Sequence, residues 1–151
     1  MIPKRRGKGQ GMQFGGAKVA LFLGERLVTI LRDDRPGLAY AGHWDLPGGG
    51  REGNETPFDC VARECREELG LRLGPEQVIW RRCFASAEAP GGQNWFFAAR
   101  MVPAVRQRIR FGTEGQGWSL MTPEAFMAHP RAIPTFQHRL RLCLSDLTGG
   151  E

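Results

Sequence analysis

Three glutamates, Glu64, Glu67 and Glu68, lie within five residues of one another. In a helix, residues three and four positions apart are neighbours on one face, so the three carboxylates would form a single acidic patch. Mg²⁺ and Mn²⁺ prefer such oxygen ligands, and bound ions can bridge to phosphate oxygens and acidify a water molecule. The patch is also consistent with a solvated helix face on which Arg63 pairs with Glu67. This spacing alone leaves both alternatives open.

The residues around the glutamates extend the pattern. Gly49 is followed after five residues by Glu55, and after seven more by the run RECREELGL, which starts at Arg63. This pattern resembles the Nudix box, the signature of hydrolases that act on nucleoside diphosphates linked to another group. Cys65 takes an apolar position of the box, where a small hydrophobic side chain is a mild departure. All the defining positions are present, namely Gly49, Glu55, Arg63, Glu64, Glu67, Glu68 and Gly70.

The resemblance implies a role for each of these residues. The three glutamates, together with the carbonyl of Gly48, would hold Mg²⁺ or Mn²⁺. Glu55 and Arg63 would form an ion pair that supports the site, and Gly49 and Gly70 would shape the loop and the end of the helix. The resemblance therefore favours the metal-binding interpretation over the solvated face.

A further acidic residue lies outside the box. The segment TEGQGWSL, which starts at Thr113, resembles a loop of MutT-type members in which an acidic residue is another metal ligand or a base. Glu114 is the matching residue, although it could also be a solvated loop acid. The catalytic candidates are thus Glu64, Glu68 and Glu114, with Glu64 the first choice as general base and Glu114 the second.

Candidate substrate contacts surround the glycine loop. Arginines bind phosphates through two parallel hydrogen bonds, and aromatic rings can stack on a base. Solvated arginines and aromatic residues of the core are the alternatives. Family members that cleave diadenosine polyphosphates usually carry a tyrosine downstream of the box, whereas the only tyrosine of this chain, Tyr40, lies upstream of it. MutT-type enzymes that act on oxidised guanine nucleotides place an asparagine before the last helix, where this chain has Ile133-Pro134-Thr135. The candidates for substrate binding are Arg32, Arg35, Arg51, Leu46 and Trp95.

The predicted elements place these residues on an α/β fold. Thr56 is a suitable N-cap, Pro57 suits the first helical position and Gly70 a helix end, which predicts a helix over Pro57–Leu69. A terminal helix over Thr135–Leu147 is predicted to bury Phe136, Leu140, Cys143, Leu144 and Leu147. Strands are predicted at Ala17–Leu23, Arg26–Arg32, Gln77–Phe84, Asn94–Val102 and Gly117–Met121. Strands alternating with helices, and the resemblance, predict an α/β/α sandwich around a mixed sheet.

Composition limits the classes of protein that need to be considered. The 151 residues suit one domain, predicted over residues 17–147 between tails at 1–16 and 148–151. Four of the 21 basic residues lie in residues 1–16, which leaves 17 basic and 16 acidic residues, a net charge of +1, in the rest. The charge of the domain therefore does not favour a nucleic-acid partner. The sequence shows no membrane-spanning stretch, secretory signal or C-x-x-C pair, which predicts a cytoplasmic protein.

These observations predict a metal-dependent hydrolase that cleaves a diphosphate linkage in a nucleoside di- or triphosphate, or a derivative of one, by attack of water on phosphorus. Its partner would be a small nucleotide-type molecule, and the protein would be a monomer or homodimer. The alternative is a nucleotide-sensing module that keeps the fold without turnover.

Overall fold

The computed structural model describes residues 13–86 and 91–149. Within them the chain forms seven strands and three α-helices, with 3₁₀ turns at Pro75–Gln77 and Pro103–Arg108. The strands are β1 (Gly16–Leu23), β2 (Arg26–Leu31), β3 (Trp44–Asp45), β4 (Gly48–Gly50), β5 (Val78–Ala85), β6 (Gln93–Met101) and β7 (Gly117–Met121). The helices are α1 (Pro57–Leu69), α2 (Pro123–Ala128) and α3 (Pro134–Thr148).

The strands form one mixed sheet, as predicted, and their order is β3-β2-β1-β6-β5. Strands β1 and β6 are parallel, and the other pairs are antiparallel. Strand β4 pairs with β1, and β7 pairs with β2. The register places Gly48 opposite Lys18 and Gly49 opposite Ala17, so the glycine loop lies directly beside the central strand.

Helix α1 begins and ends where the sequence predicts. The Thr56 hydroxyl accepts a hydrogen bond from the Asp59 backbone N–H at 3.0 Å, and the Asp59 carboxylate accepts one from Thr56 N–H, which completes a capping box. Gly70 adopts the left-handed conformation with φ 67° and donates its N–H to the Arg66 carbonyl, which ends the helix. These local signals fix the position of the three box glutamates along the helix.

The sheet separates two hydrophobic clusters and thus forms the middle layer of an α/β/α sandwich. On one face, Val61, Cys65 and Leu69 of α1 pack with strand residues that include Leu21 and Phe97. The other face packs against α2 and α3 through residues that include Leu27, Leu46, Phe96, Phe126 and Leu140. No helix of the described residues is long and apolar enough to cross a membrane.

The structure differs from the sequence prediction in several features, including the bounds of β2, β5, β6 and α3, which shift by one residue. Phe14 is buried, and β1 begins at Gly16, one residue before the predicted strand start at Ala17. The domain bounds of 17–147 stay a prediction, and residues 1–12 of one predicted tail and 150–151 of the other lie outside the described residues. Leu147 of α3 is 38% exposed, although its spacing predicts burial. Arg139 is buried instead, because its guanidinium packs 4.7 Å from the centroid of the Phe84 ring.

Candidate active site

The carboxylates of Glu64 and Glu68 face the glycine loop. Oε1 of Glu68 accepts a hydrogen bond from the Gly48 backbone N–H at 2.9 Å. A Cβ atom at Gly49 would lie 2.4 Å from Oε2 of Glu64, so the glutamate occupies the space that any other residue at 49 would fill. At Gly48, with φ 137°, a Cβ would lie 2.1 Å from the Ala17 carbonyl oxygen. The absence of side chains in the loop therefore allows α1 to place both carboxylates against its backbone.

Arg63, in the middle of α1, connects the helix to the glycine loop and to Glu55. Its Nε donates to Oε2 of Glu55 at 2.6 Å, and its Nη2 donates to the Gly50 carbonyl at 2.7 Å. Its Nη1 contacts the carboxylates of Glu67 at 3.0 Å and Glu64 at 3.3 Å. The pKa of Glu55 is held below its ordinary value, chiefly by the hydrogen bond from Arg63. The structure thus places the predicted Glu55–Arg63 pair in contact, with Arg63 only 12% exposed.

Lys18 is a second cation at the site, and it was not predicted from the sequence. Nζ of Lys18, on β1, donates to Oδ2 of Asp45 at 3.1 Å and to the carbonyls of Leu46 and Gly48 at 3.2 and 3.0 Å. Asp45 is buried, and Oδ2 also accepts from Nη1 of Arg32 at 3.2 Å. The sequence does contain one indication of this position, a lysine inside the apolar run AKVALFL of β1, because lysine is rarely buried without a partner.

Burial and mutual repulsion raise the pKa values of the inner carboxylates. Burial raises the pKa of Glu68 from 4.5 to about 8, although the Lys18 ammonium and the Gly48 N–H favour its charged form. Burial also raises the pKa of Glu64, and the charge of Glu67 adds to that effect while Arg63 opposes it. The site therefore concentrates acidic groups that a further cation would stabilise in their ionised form.

Glu114 lies at the same cleft as Glu68, although 46 positions separate them in the sequence. Gly112 N–H donates to the Glu68 carbonyl at 2.9 Å, and Gln116 N–H donates to the Leu31 carbonyl at 2.8 Å, so the loop is fixed at both ends. We call this space, of about 260 Å³, the acidic cleft; its polar side chains are Arg32, Asp33, Arg35, Asp45, Glu68 and Glu114. Four predicted site residues, Arg32, Arg35, Glu68 and Glu114, therefore meet there.

The other predicted substrate contacts lie elsewhere. Arg51 donates its Nε to the Glu55 carbonyl at 3.0 Å, and its guanidinium lies 4.7 Å from the centroid of Phe14. The Leu46 side chain is fully buried between the sheet and α3, so only its backbone is near the site. Trp95 lines a separate cleft of about 220 Å³ beside Gly49 and Gly50. The sequence predicts which residues lie near the glycine loop, but it does not predict which of their side chains point away from that loop.

The donor atoms fit a hard divalent cation. Every candidate ligand is an oxygen, from Glu64, Glu67, Glu68, Glu114 or the Gly48 carbonyl, and the glycine loop leaves room for Glu64 beside it. Across residues 13–86 and 91–149, no three His, Cys, Asp or Glu side chains are grouped closely enough to hold an ion. Arg63 contacts Glu67, and Lys18 contacts the Gly48 carbonyl, so both candidate ligands have protein cations as partners in this structure. A metal ion would replace these contacts.

Known proteins resemble this chain in sequence and in fold. An uncharacterised Nudix hydrolase of Pseudomonas aeruginosa is 26% identical over 134 residues, which cover 88% of this chain and 77% of that protein. The crystal structure of a MutT protein from Methanosarcina mazei superimposes with a TM-score of 0.71 at 18% identity, over 88% of this chain and 94% of that one.

A bifunctional NMN adenylyltransferase/ADP ribose pyrophosphatase from Francisella tularensis, in complex with AMP and a Mn ion, superimposes with a TM-score of 0.67 at 16% identity. The match covers 97% of this chain and 45% of that one. A family model of the NUDIX domain matches residues 15–140, which contain the box, the glycine loop and the Glu114 loop. The chain therefore belongs to the Nudix hydrolases, a family that acts on nucleoside diphosphate derivatives and generally uses a divalent metal.

Proposed function

We propose that this protein hydrolyses a diphosphate linkage in a nucleoside di- or triphosphate, or a derivative of one, by attack of water on phosphorus. The observation that carries the proposal is the placement of Glu64 and Glu68 against the backbone of Gly48 and Gly49. One rigid helix face thereby holds both carboxylates at the loop, and Glu68 also lines a cleft that contains arginines for an anionic substrate. An acidic helix face with no catalytic role would not need two glycines to accommodate it.

The cofactor in this proposal is Mg²⁺ or Mn²⁺. Glu64, Glu67, Glu68 and the Gly48 carbonyl would hold it, with Glu114, which lines the acidic cleft together with Glu68, as a further ligand. When bound, such an ion neutralises phosphate charge and lowers the pKa of a bound water. The Francisella structure contains AMP and a Mn ion, which supports a divalent cofactor and a nucleotide-type substrate.

A carboxylate of this chain takes the proton from the attacking water. Glu64 is the first candidate, because its side chain is only 13% exposed and burial raises its pKa above the ordinary value, which favours uptake of a proton. Glu114 is the second candidate, because it lines the acidic cleft together with Glu68. Comparing pH–rate profiles of Glu64→Gln and Glu114→Gln separates the two, since loss of the base removes the acidic limb of the profile.

Arg32 and Arg35 are the proposed phosphate contacts. Both line the acidic cleft, and Arg32 is oriented by its Nη1 contact with Asp45 and its Nε contact with the Ala39 carbonyl. A guanidinium held in this way can bind phosphate oxygens at a small cost in side-chain entropy. Arg51, which is engaged with Glu55 and Phe14, has a supporting position in this proposal rather than a substrate contact.

The experiment that tests the proposal is a substrate panel of nucleoside di- and triphosphates and nucleoside-diphosphate derivatives, assayed with Mg²⁺, with Mn²⁺ and with EDTA. We expect metal-dependent release of a nucleoside monophosphate, with oxygen from H₂¹⁸O in one of the phosphate products. Glu68→Gln keeps an acceptor for the Gly48 N–H and should reduce kcat at least about 100-fold. Glu76→Gln, an exposed acid outside the site, is the matched control.

The opposite results have clear meanings. Unchanged turnover in Glu68→Gln would contradict the assigned role of α1. Nucleotide binding without hydrolysis across the whole panel would instead identify the chain as a nucleotide-sensing module of the same fold.

A further inference from the structure

Lys18 is the only lysine of the chain after residue 16, because the other two lysines, Lys4 and Lys8, lie in the first 16 residues. Apart from three histidines, all other basic residues in that part of the sequence are arginines. An ammonium is a compact charge with three donors, whereas a guanidinium is a planar fork. The lysine at this one position indicates that a compact cation is needed there.

The three donors of the Lys18 ammonium match the acceptors around it. Nζ contacts Oδ2 of Asp45 at 3.1 Å, the Leu46 carbonyl at 3.2 Å and the Gly48 carbonyl at 3.0 Å. The Phe136 ring covers another side, with its centroid 5.4 Å from Nζ, and the lysine side chain is 17% exposed. In this structure the ammonium is therefore fixed at the turn between β3 and β4.

One of these acceptors, the Gly48 carbonyl, is also a proposed metal ligand. Two cations at one oxygen repel each other strongly, so this oxygen is open to a divalent ion only when the ammonium has left it. Lys18 also acts on the other ligands: burial raises the pKa of Glu68 and of Glu64, and the Lys18 charge opposes that rise in both. The ammonium thus neutralises the same groups that a bound metal ion would neutralise.

The surroundings of Lys18 also provide another place for its charge. Oδ2 of Asp45 accepts from both Lys18 and Nη1 of Arg32, at 3.1 and 3.2 Å. All three residues line a cleft of about 180 Å³, which we call the side cleft, and Arg32 and Asp45 line the acidic cleft as well. An ammonium that leaves the Gly48 carbonyl but keeps Asp45 therefore stays beside an arginine proposed to bind phosphate. A charged phosphate oxygen is a stronger acceptor than the carbonyl it leaves.

We propose that Lys18 is an exchangeable cation that couples metal binding to substrate binding. It holds the Gly48 carbonyl in the absence of metal and, when released from that oxygen by a bound divalent ion, contacts a phosphate oxygen of the diphosphate. The inference rests on the proposed function and adds to it a cooperative dependence of each ligand on the other. Either ligand removes part of the cost of binding the other, which is positive cooperativity.

A purely structural role for Lys18 predicts the opposite effect on metal binding. A lysine that only holds the glycine loop in shape would keep the Gly48 carbonyl in place for the metal, so its removal would weaken metal binding. Under the proposal, removal of the ammonium frees the carbonyl and strengthens metal binding. The sign of the change therefore distinguishes the two roles.

The first test is calorimetric titration of full-length protein with Mn²⁺ alone, at physiological salt. We expect the Kd for Mn²⁺ to be about tenfold lower in Lys18→Met than in the wild type, because no bound state of the lysine has to be broken. Methionine can pack against the Phe136 ring, and Asp45 keeps its contact with Arg32, so the variant should fold.

Arg66→Met is the matched control for this titration, since it removes one positive charge from an exposed position of α1. Salt screens an exposed charge, so this variant should bind Mn²⁺ as the wild type does. Equal or weaker binding of Mn²⁺ by Lys18→Met, or the same gain in Arg66→Met, would overturn the inference.

The second test repeats the Mn²⁺ titration with saturating α,β-methylene-ADP, a diphosphate that cannot be hydrolysed at its bridge. The ratio of the Kd without the analogue to the Kd with it measures the cooperativity. Binding of Mn²⁺ by the free analogue is the same for every protein, so it cancels when proteins are compared. We expect this ratio to be at least about fivefold larger in the wild type than in Lys18→Met. An equal ratio in the two proteins would contradict the coupling.

A third measurement follows the ammonium in the wild type itself. Protein labelled with lysine that carries ¹³C at Cε gives signals from only three lysines, and the signal absent from Lys18→Met belongs to Lys18. We expect saturating Mg²⁺ to shift this signal and α,β-methylene-ADP to shift it further when Mg²⁺ is present. A Lys18 signal that stays in place with saturating Mg²⁺ would show that the ammonium does not leave the loop, and would overturn the inference.

The two proposals fail in different ways. If the wild type hydrolyses nucleotides but Lys18→Met matches it in Mn²⁺ affinity and cooperativity, the inference fails and the proposed function stands. If no diphosphate is hydrolysed but both Mn²⁺ titrations give the expected changes, the proposed function fails and Lys18 still couples the two ligands.

Discussion

The backbone N–H of Gly48 donates a 2.9 Å hydrogen bond to Oε1 of Glu68, which couples the glycine loop to the buried end of the acidic helix face. Gly48 can take its φ of 137° without strain, and its N–H therefore points at the carboxylate. One N–H does not compensate for the burial of Glu68, whose pKa rises to about 8. Without a bound metal, the glycine loop thus fits the geometry of the Glu68 carboxylate but does not fully stabilise its negative charge.

This imbalance predicts how stability depends on pH in EDTA. The pKa of Glu68 is about 8 in the folded chain and 4.5 in the unfolded chain, so the native state binds this proton more tightly. The contribution is complete below pH 4.5 and is lost as the pH rises towards 8 and beyond. We expect the wild type to lose more stability between pH 5 and pH 9 than Glu68→Gln, as measured by urea unfolding. A parallel decline in both proteins would contradict the assignment.

Divalent cations should reverse that loss. A ligand that binds only the native state at 100 times its Kd stabilises it by about 2.7 kcal/mol. We expect MgCl₂ to raise the Tm more at pH 8.5 than at pH 5.5, because protonated carboxylates bind the ion poorly. Glu68→Gln should show a smaller increase. NaCl at equal ionic strength is the control, and an identical increase with NaCl would show that screening, not binding, is responsible.

Sequence signals predicted the elements that depend on local chemistry. Thr56, Pro57 and Gly70 define helix α1 through its caps, and these act within a few residues. Because the caps fix where the helix begins and ends, they also fix the positions of the box glutamates along it. The position of Glu114 came from resemblance alone, and the structure shows the loop contacts with α1 and β2 that bring it to the acidic cleft.

The features that the sequence did not predict depend on contacts between distant segments. Lys18 reaches Asp45 and Gly48 only because β1 pairs with β4, 30 residues later. Arg139, on α3, is buried because Phe84 of β5 covers its guanidinium. The left-handed backbone of Tyr40 has no sequence signal, since positive φ is typical of glycine and rare for tyrosine.

Arg63 should contribute to stability far more than an ordinary surface arginine. It is 12% exposed and contacts Glu55, Glu67 and the Gly50 carbonyl, so truncation leaves the Glu55 carboxylate, which is 18% exposed, without its charged partner. We expect Arg63→Ala to lower the free energy of unfolding by about 3 kcal/mol. Arg72, 79% exposed and 3.8 Å from Glu76, is the matched control, and Arg72→Ala should cost less than about 1 kcal/mol. Equal losses in the two variants would contradict this role.

Neighbouring glycines of the loop should respond differently to the same substitution. A Cβ at Gly49 would lie 2.4 Å from Oε2 and 2.6 Å from Cδ of Glu64, whereas a Cβ at Gly50 would meet only the Gly15 carbonyl oxygen, at 3.8 Å. Neither glycine has a left-handed φ, so backbone strain affects neither variant.

Gly49→Ala must therefore displace the Glu64 carboxylate from the loop, and a shift of about 1 Å in a catalytic group can reduce the rate about 100-fold. Gly50→Ala should keep kcat within about twofold of the wild type. Steady-state kinetics with Mg²⁺ provides the measurement, and circular dichroism checks that both variants are folded. Similar activity in the two variants would show that the close approach of Glu64 to Gly49 is not required for catalysis. A selective loss in Gly49→Ala would instead tie turnover to the position of this one carboxylate.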